Sequence, residues 1–282
     1  MIQGLLHSSL LLWTPLVLAA LGGLLHRVSG VVNIGLEGQM LGGALIGALV
    51  SPQGWVLGTL AAGATGALLG LLMSLCITRL GANEIIAGLG FTIVISGLIG
   101  YLLRSVFSVS GTLRVNGLDP LPDILGMDPL FWLAIVLIPV ITWALGHTAA
   151  GLRLRATGDG FDAAAALRLP VNRIRDTAGV LAGVLAGMAG AHLVLGQVGL
   201  FNEDMVAGRG FIALAAFYFG RSRPWATALA CLLFAVFDAG QARLQTEGVP
   251  AQLVQTLPYV VVVVVLTATA VRDSRGKARR AG

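Results

Sequence analysis

"VVNIGLEGQM", residues 31–40, places Asn33, Glu37 and Gln39 among Val, Ile, Leu, Met and Gly. The runs on either side, LVLAALGGLL at 16–25 and LGGALIGALV at 41–50, carry no charge. The stretch reads as an apolar helix that is interrupted near residue 33. Its setting decides the class of fold. The chain is 56% hydrophobic and 11% charged, with a mean hydropathy of +0.89, whereas a soluble domain carries roughly 25% charged residues. Several uncharged stretches reach the ~20 residues that cross a bilayer as a helix, and the alternating ten-residue segments of a membrane β-barrel do not occur. The reading is an all-α polytopic membrane protein, one membrane domain over residues 1–282.

Membrane segments are expected near 5–25, 34–50, 54–78, 84–103, 130–147, 176–199, 209–220, 225–243 and 251–271. This gives eight to nine segments, two of them broken or re-entrant. The segments at 34–50 and 209–220 are short and follow polar, Gly-rich runs, as helices broken within a membrane do. The first apolar run has no cleavage-site pattern and is taken as a retained span. Within 176–199, Gly179, Gly183 and Gly187 fall four apart, a small-residue face on which another helix can pack backbone to backbone.

The sequence pI is near 10.0, but 17 of the 18 basic residues are Arg set beside membrane segments. Positive-inside topology accounts for them without nucleic acid. Residues 151–175 hold five Arg, and the tail 272–282 adds five basic residues. Both are assigned to the cytoplasmic side, the loop 104–129 to the outside, and by parity the N-terminus to the outside. Cys76 and Cys231 have no Cys or His partner at metal-ligand spacing, so no metal site and no catalytic group is assigned. No phosphate-binding loop occurs either. Energy for any transport must come from another chain or from an ion gradient.

In "GDGFDAAAALRLP", 158–170, Asp159 can cap a short helix, Ala163–Ala166 propagate it and Pro170 ends it. So short a helix needs a surface to lie against. With the residues that follow it, this segment resembles the coupling segment of bacterial ABC importer permeases, although Leu167–Arg168–Leu169 replaces the usual small-residue turn. Three further blocks, "SGVVNIGLEGQMLGGA" (29–44), "ANEIIAGLGFTIVISGL" (82–98) and "AGRGFIALAAFYFGRSRPW" (207–225), resemble permeases for nucleosides and related purine compounds. These lie within the group that also serves simple sugars and branched-chain amino acids.

The resemblance implies a transport subunit in the bacterial cytoplasmic (inner) membrane, not an enzyme. It implies a second permease subunit, related or identical, ABC ATPase subunits that carry ATP and Mg, and an extracytoplasmic substrate-binding protein. This chain itself would hold no cofactor. Asp159, Asp162, Ala163, Ala164, Ala165, Ala166, Arg168 and Arg173 are the candidates for ATPase coupling.

An ionisable side chain at membrane depth costs at least ~2.5 kcal/mol, so each needs a reason. Asn33 and Glu37 either hold the broken helix or line the substrate path. With Gln39, Phe91, Phe211 and Gln241 they form the candidate path, amides and flat rings suited to a nucleobase. Asn83 is a natural N-cap, and Glu84 favours the positive end of the same helix. Both, with Arg209, are candidates for a gate or a helix break. A gradient-driven secondary transporter or channel for a small polar solute, or an importer of sugars or amino acids, remains open beside the nucleoside reading.

Overall fold

The structure, a computed structural model, describes residues 2–246. Ten helices follow one another: α1 (Ile2–Val28), α2 (Leu36–Val50), α3 (Trp55–Thr78), α4 (Glu84–Ser105), α5 (Pro129–His147), α6 (Ala149–Asp159), α7 (Phe161–Ala166), α8 (Val171–Ala191), α9 (Arg209–Phe219) and α10 (Pro224–Thr246). α8 runs on as a π-helical stretch, His192–Val198. Two short strands, β1 (Thr112–Leu113) and β2 (Phe201–Asn202), pair antiparallel with Thr112 opposite Asn202.

Among the described residues, five helices are long and apolar enough to cross a membrane: Leu6–Val28, Trp55–Thr78, Glu84–Ser105, Pro129–His147 and Val171–Val198. The chain is therefore a multi-pass membrane protein. α2, α9 and the apolar part of α10 are shorter. The expected segment 251–271 and the basic tail lie outside the described residues.

α1 and α8 form the enclosed centre, while α4 and α5 turn apolar faces outward through Ile93, Val94, Leu98, Ile135, Val136 and Val140. The glycine row foreseen on α8 is the contact with α3, inside the protomer. A Cβ on Gly183 would collide with the Gly66 carbonyl, and one on Gly187 with that of Ala62. A Cβ on Gly70 would collide in turn with the Gly179 carbonyl. With no side chains between them the two backbones touch, the small-residue contact that replaces hydrophobic association in lipid.

Local chemistry sets the helix starts. Asn83 Oδ1 accepts from the Ile85 and Ile86 amides at 3.0 and 3.3 Å, so Asn83 caps α4. Asp128 Oδ1 does the same for α5 through Leu130 and Phe131, with Pro129 in the first turn.

The Arg-rich end gathers Arg27, Arg79, α6, α7 and the α9–α10 turn. Here the expected coupling helix is different. Asp159 is the last residue of α6, and α7 starts after Gly160 with no side-chain cap. Pro170 does not end α7 either. Leu169 N–H bonds the Ala164 carbonyl and Arg168 N–H the Ala165 carbonyl, with Arg168 at φ 57°. This is a Schellman closure with Arg in the left-handed position usually given to Gly. The first part of the cytoplasmic loop expected at 151–175 is instead the helix α6, which Thr148 caps, its hydroxyl accepting from the Gly151 amide at 3.0 Å.

Candidate functional site

Residues 31–35 lie between α1 and α2; only Val31 N–H, to the His26 carbonyl, and the Gly35 carbonyl, from the Gln39 amide, bond to the flanking helices, and the other backbone groups need partners inside the bundle. One carboxylate from elsewhere in the sequence supplies an acceptor here, and a second, just past the stretch, reaches another helix. Glu84, in the first turn of α4, accepts from the Val32 amide at 2.8 Å. Glu37, in the first turn of α2, reaches α9: Oε1 accepts from the Gly208 amide and Oε2 from the Gly210 amide, both at 2.7 Å. One carboxylate thus sits at the positive ends of two helix dipoles.

Two glycines make this possible. Gly208 has φ 80°, a left-handed turn into α9. At Gly210 a Cβ would stand 2.5 Å from the Glu37 nitrogen, so only glycine allows the approach. From this junction α2 leads to Ser51 and Trp55, whose amide bonds Asp119 at 2.9 Å. α9 leads instead to the turn beside Arg27 at the Arg-rich end.

The two amides are engaged with each other. Asn33 and Gln39 are fully buried, and Asn33 Nδ2 donates to Gln39 Oε1 at 3.0 Å. Gln39 Nε2 faces Met73 Sδ at 3.8 Å. Phe91 joins this group: a Cβ on Gly35 would stand 3.3 Å from its ring and 3.6 Å from Asn33 Oδ1. Phe211 lies one residue past Gly210 and is 39% exposed. Arg209 donates to the Met205 carbonyl at 3.0 Å, and its Nη2 stands 3.7 Å from Asp238 Oδ2 on α10. Asn33, Glu37, Gln39 and Phe91 are thus brought together, with Phe211 and Arg209 on the α9 side of Glu37. Gln241 lies in α10, and its side chain is outside the described residues.

At the Arg-rich end, Asp162, Ala163, Ala165, Ala166, Arg168 and Arg173 are exposed, and Ala164 is buried. Leu167 is exposed as well. α7 presents an Ala and Leu surface with no partner among the described residues. Arg175 holds it from behind: its guanidinium lies 5.1 Å from the Phe161 ring, and its Nε donates to the Ser29 carbonyl at 3.1 Å.

Two clusters were not foreseen. Asp176 accepts from Ser74 Oγ, Thr78 Oγ1 and Arg79 Nη2 at 2.9, 2.8 and 3.0 Å, fastening α3 to the start of α8. At the other end His192 Nε2 stands 2.8 Å from Asp128 Oδ2, and both residues are buried. Gln197 Nε2 faces His192 Nδ1 at 3.5 Å. Asp-Pro at 128–129 was a legible cap signal for the second cluster; Asp176 had none. Among the described residues no group of His, Cys, Asp and Glu could hold a metal ion.

The chain is 31% identical to the nucleoside ABC transporter permease protein NupC of Lactococcus lactis subsp. cremoris, over 94% of this chain and 92% of that one. A putative glucose ABC transporter permease protein of Haloferax volcanii, TsgC13, is also 31% identical, over 95% and 92%. The guanosine ABC transporter permease protein NupQ of Bacillus subtilis is 28% identical, over 92% and 90%. The same Lactococcus and Bacillus strains each have a second similar permease, NupB and NupP. No solved structure matches. The model of the permease component of branched-chain amino acid transport systems matches residues 5–266, and the chain belongs to that family.

Proposed function

We propose that this chain is the membrane subunit of an ATP-driven ABC importer that moves nucleosides or related purine compounds into a bacterial cell. The observation that carries the reading is similarity along almost the whole chain to permeases named for nucleosides and for guanosine. The Arg-rich end is cytoplasmic in this reading. There the exposed face of α7 docks a separate ATPase chain, which holds ATP and Mg. The opposite end, with residues 106–128 and the β1–β2 pair, receives an extracytoplasmic binding protein. A second permease completes the path. The paired relatives in Lactococcus and Bacillus support a related partner over an identical one.

α2 and α9 are half-helices that start within the membrane, and the substrate path passes their junction. Asn33, Gln39 and Phe91 offer amide edges and a ring of the kind a nucleobase recognises, and Glu37 and Glu84 hold the irregular backbone beside them. A nucleoside has to separate the Asn33–Gln39 pair to use it. That exchange of one hydrogen-bond set for another favours release over tight binding.

The test is uptake of labelled guanosine, adenosine and uridine by vesicles holding this chain with its co-expressed ATPase, partner permease and binding protein. ATP-dependent uptake that stops when the ATPase is omitted is expected. Accumulation by this chain alone under a proton or sodium gradient overturns the reading in favour of a secondary transporter. The 31% identity to a putative glucose permease favours a sugar as the second reading, and glucose uptake in place of nucleoside uptake would establish it.

A further inference from the structure

A cavity of about 440 Å³ opens at the Arg-rich end, between the ends of α1 and α5, the last turns of α6 and the α9–α10 turn. Among the described residues Arg27, Arg155, Arg221 and Arg223 line it, against one carboxylate, Asp159. So cationic a hollow favours an anion, and the planar guanidinium fork suits the paired oxygens of a phosphate.

Three features are those of a built site. The Arg27 guanidinium lies 3.8 Å over the Tyr218 ring, which fixes its plane. Its Nη1 is nevertheless buried with no hydrogen-bond partner, a cost that an anion in the cavity would remove. Next, Arg221 and Ser222 both take left-handed backbone, φ 49° and 55°, the one place among the described residues where two consecutive non-glycine residues do so. Strain of this kind is held where a turn must present particular groups. Last, Trp143 and Trp225, each next to a lining residue, are 61% and 57% exposed on α5 and α10. Exposed Trp on membrane helices marks the headgroup level, and the cavity lies beside both.

We propose that this cavity holds the phosphate of an anionic phospholipid. Its acyl chains descend along the exposed Leu229, Leu233 and Val236 of α10 and Val136 and Val140 of α5. Basic pockets between membrane helices take such headgroups. The inference rests on the multi-pass membrane nature of the chain, and neither the cargo nor the energy source enters it. The same chemistry could serve free phosphate, and the Trp pair and apolar faces favour the lipid.

The full chain, purified in neutral detergent, is given equal amounts of phosphatidylglycerol and phosphatidylcholine, and bound lipid is counted by native mass spectrometry. A preference of about tenfold for phosphatidylglycerol is expected, the scale of one added charge-assisted pair. It should vanish in R155Q/R223Q, survive in R155K/R223K and survive in R153Q, which changes a neighbouring α6 residue outside the cavity. Circular dichroism and size exclusion verify folding. If the double variant does not fold, R223Q alone reads the same ratio at an exposed position. Equal retention of the two lipids, or equal loss in R153Q, overturns the proposal. Displacement of the lipid by millimolar inorganic phosphate overturns it in favour of a soluble anion. Unchanged lipid binding with loss of ATPase co-purification in R155Q/R223Q overturns it in favour of an acidic protein partner.

Discussion

Glu37 joins the amides of Gly208 and Gly210, 171 and 173 positions away in sequence. A Gln in its place keeps one acceptor, turns an N–H toward the second amide and removes the charge from two helix ends. E37Q should lose about 1–3 kcal/mol of stability, read as a lower unfolding temperature of the purified chain. If Glu37 only lines the path, uptake falls and the unfolding temperature does not move. Asp128 has a different reason for its charge. Burial pushes its carboxyl up, but His192 beside it and the Phe131 and Leu130 amides pull harder, and it ends below the usual aspartate range. A carboxyl lower in the folded than in the unfolded chain stabilises above its unfolded value, about 3.9. That stability is lost as pH falls through the depressed native value. Thermal unfolding followed from pH 6 downward should show this acid loss, and D128N should flatten it. An equally steep acid limb in D128N would locate the loss elsewhere.

At the scale of elements, the α3–α8 contact tolerates no side chain at its centre. G183L should therefore prevent the two helices from meeting and give no folded monomer peak in size exclusion, while L181A, on an exposed position of α8, should give a normal one. α7 separates two roles within four alanines. A164E buries an unpaired charge and should destabilise by 3 kcal/mol or more, an order-of-magnitude figure. A165E, on the exposed side, should stay within about 0.5 kcal/mol of the parent yet abolish uptake by the assembled transporter while ATP hydrolysis continues. Normal uptake in A165E would remove the docking role of this face. The helix break at 31–35 was legible because polar residues at membrane depth need a cause, and the caps at Asn83 and the glycine row of α8 follow from local chemistry. The partners were not legible: Gly66 and Gly70 answer that row from another helix, and no spacing rule connects them. Asp159 was misread for a related reason. Asp beside Gly suits a helix start as well as a stop, and only the cap at Thr148 shows that a helix is already running when the chain reaches it.

For the molecule as a whole, composition and the long uncharged stretches decided the membrane class, since 11% charged residues is less than half the roughly 25% of a typical soluble domain. They could not decide which polar residues serve structure, because Glu37 and Glu84 bond backbone on segments far from them in sequence. The tightest packing is at the α1, α2, α3 and α8 centre, where backbones touch. α2 and α9 are far apart in sequence, but both begin at the same carboxylate. Two bonds of 2.7 Å make Glu37 a ball joint between levers that point to opposite ends of the molecule. The α9–α10 turn, beside the last turns of α6, is thereby tied through one side chain to the helix that runs to the opposite end of the molecule.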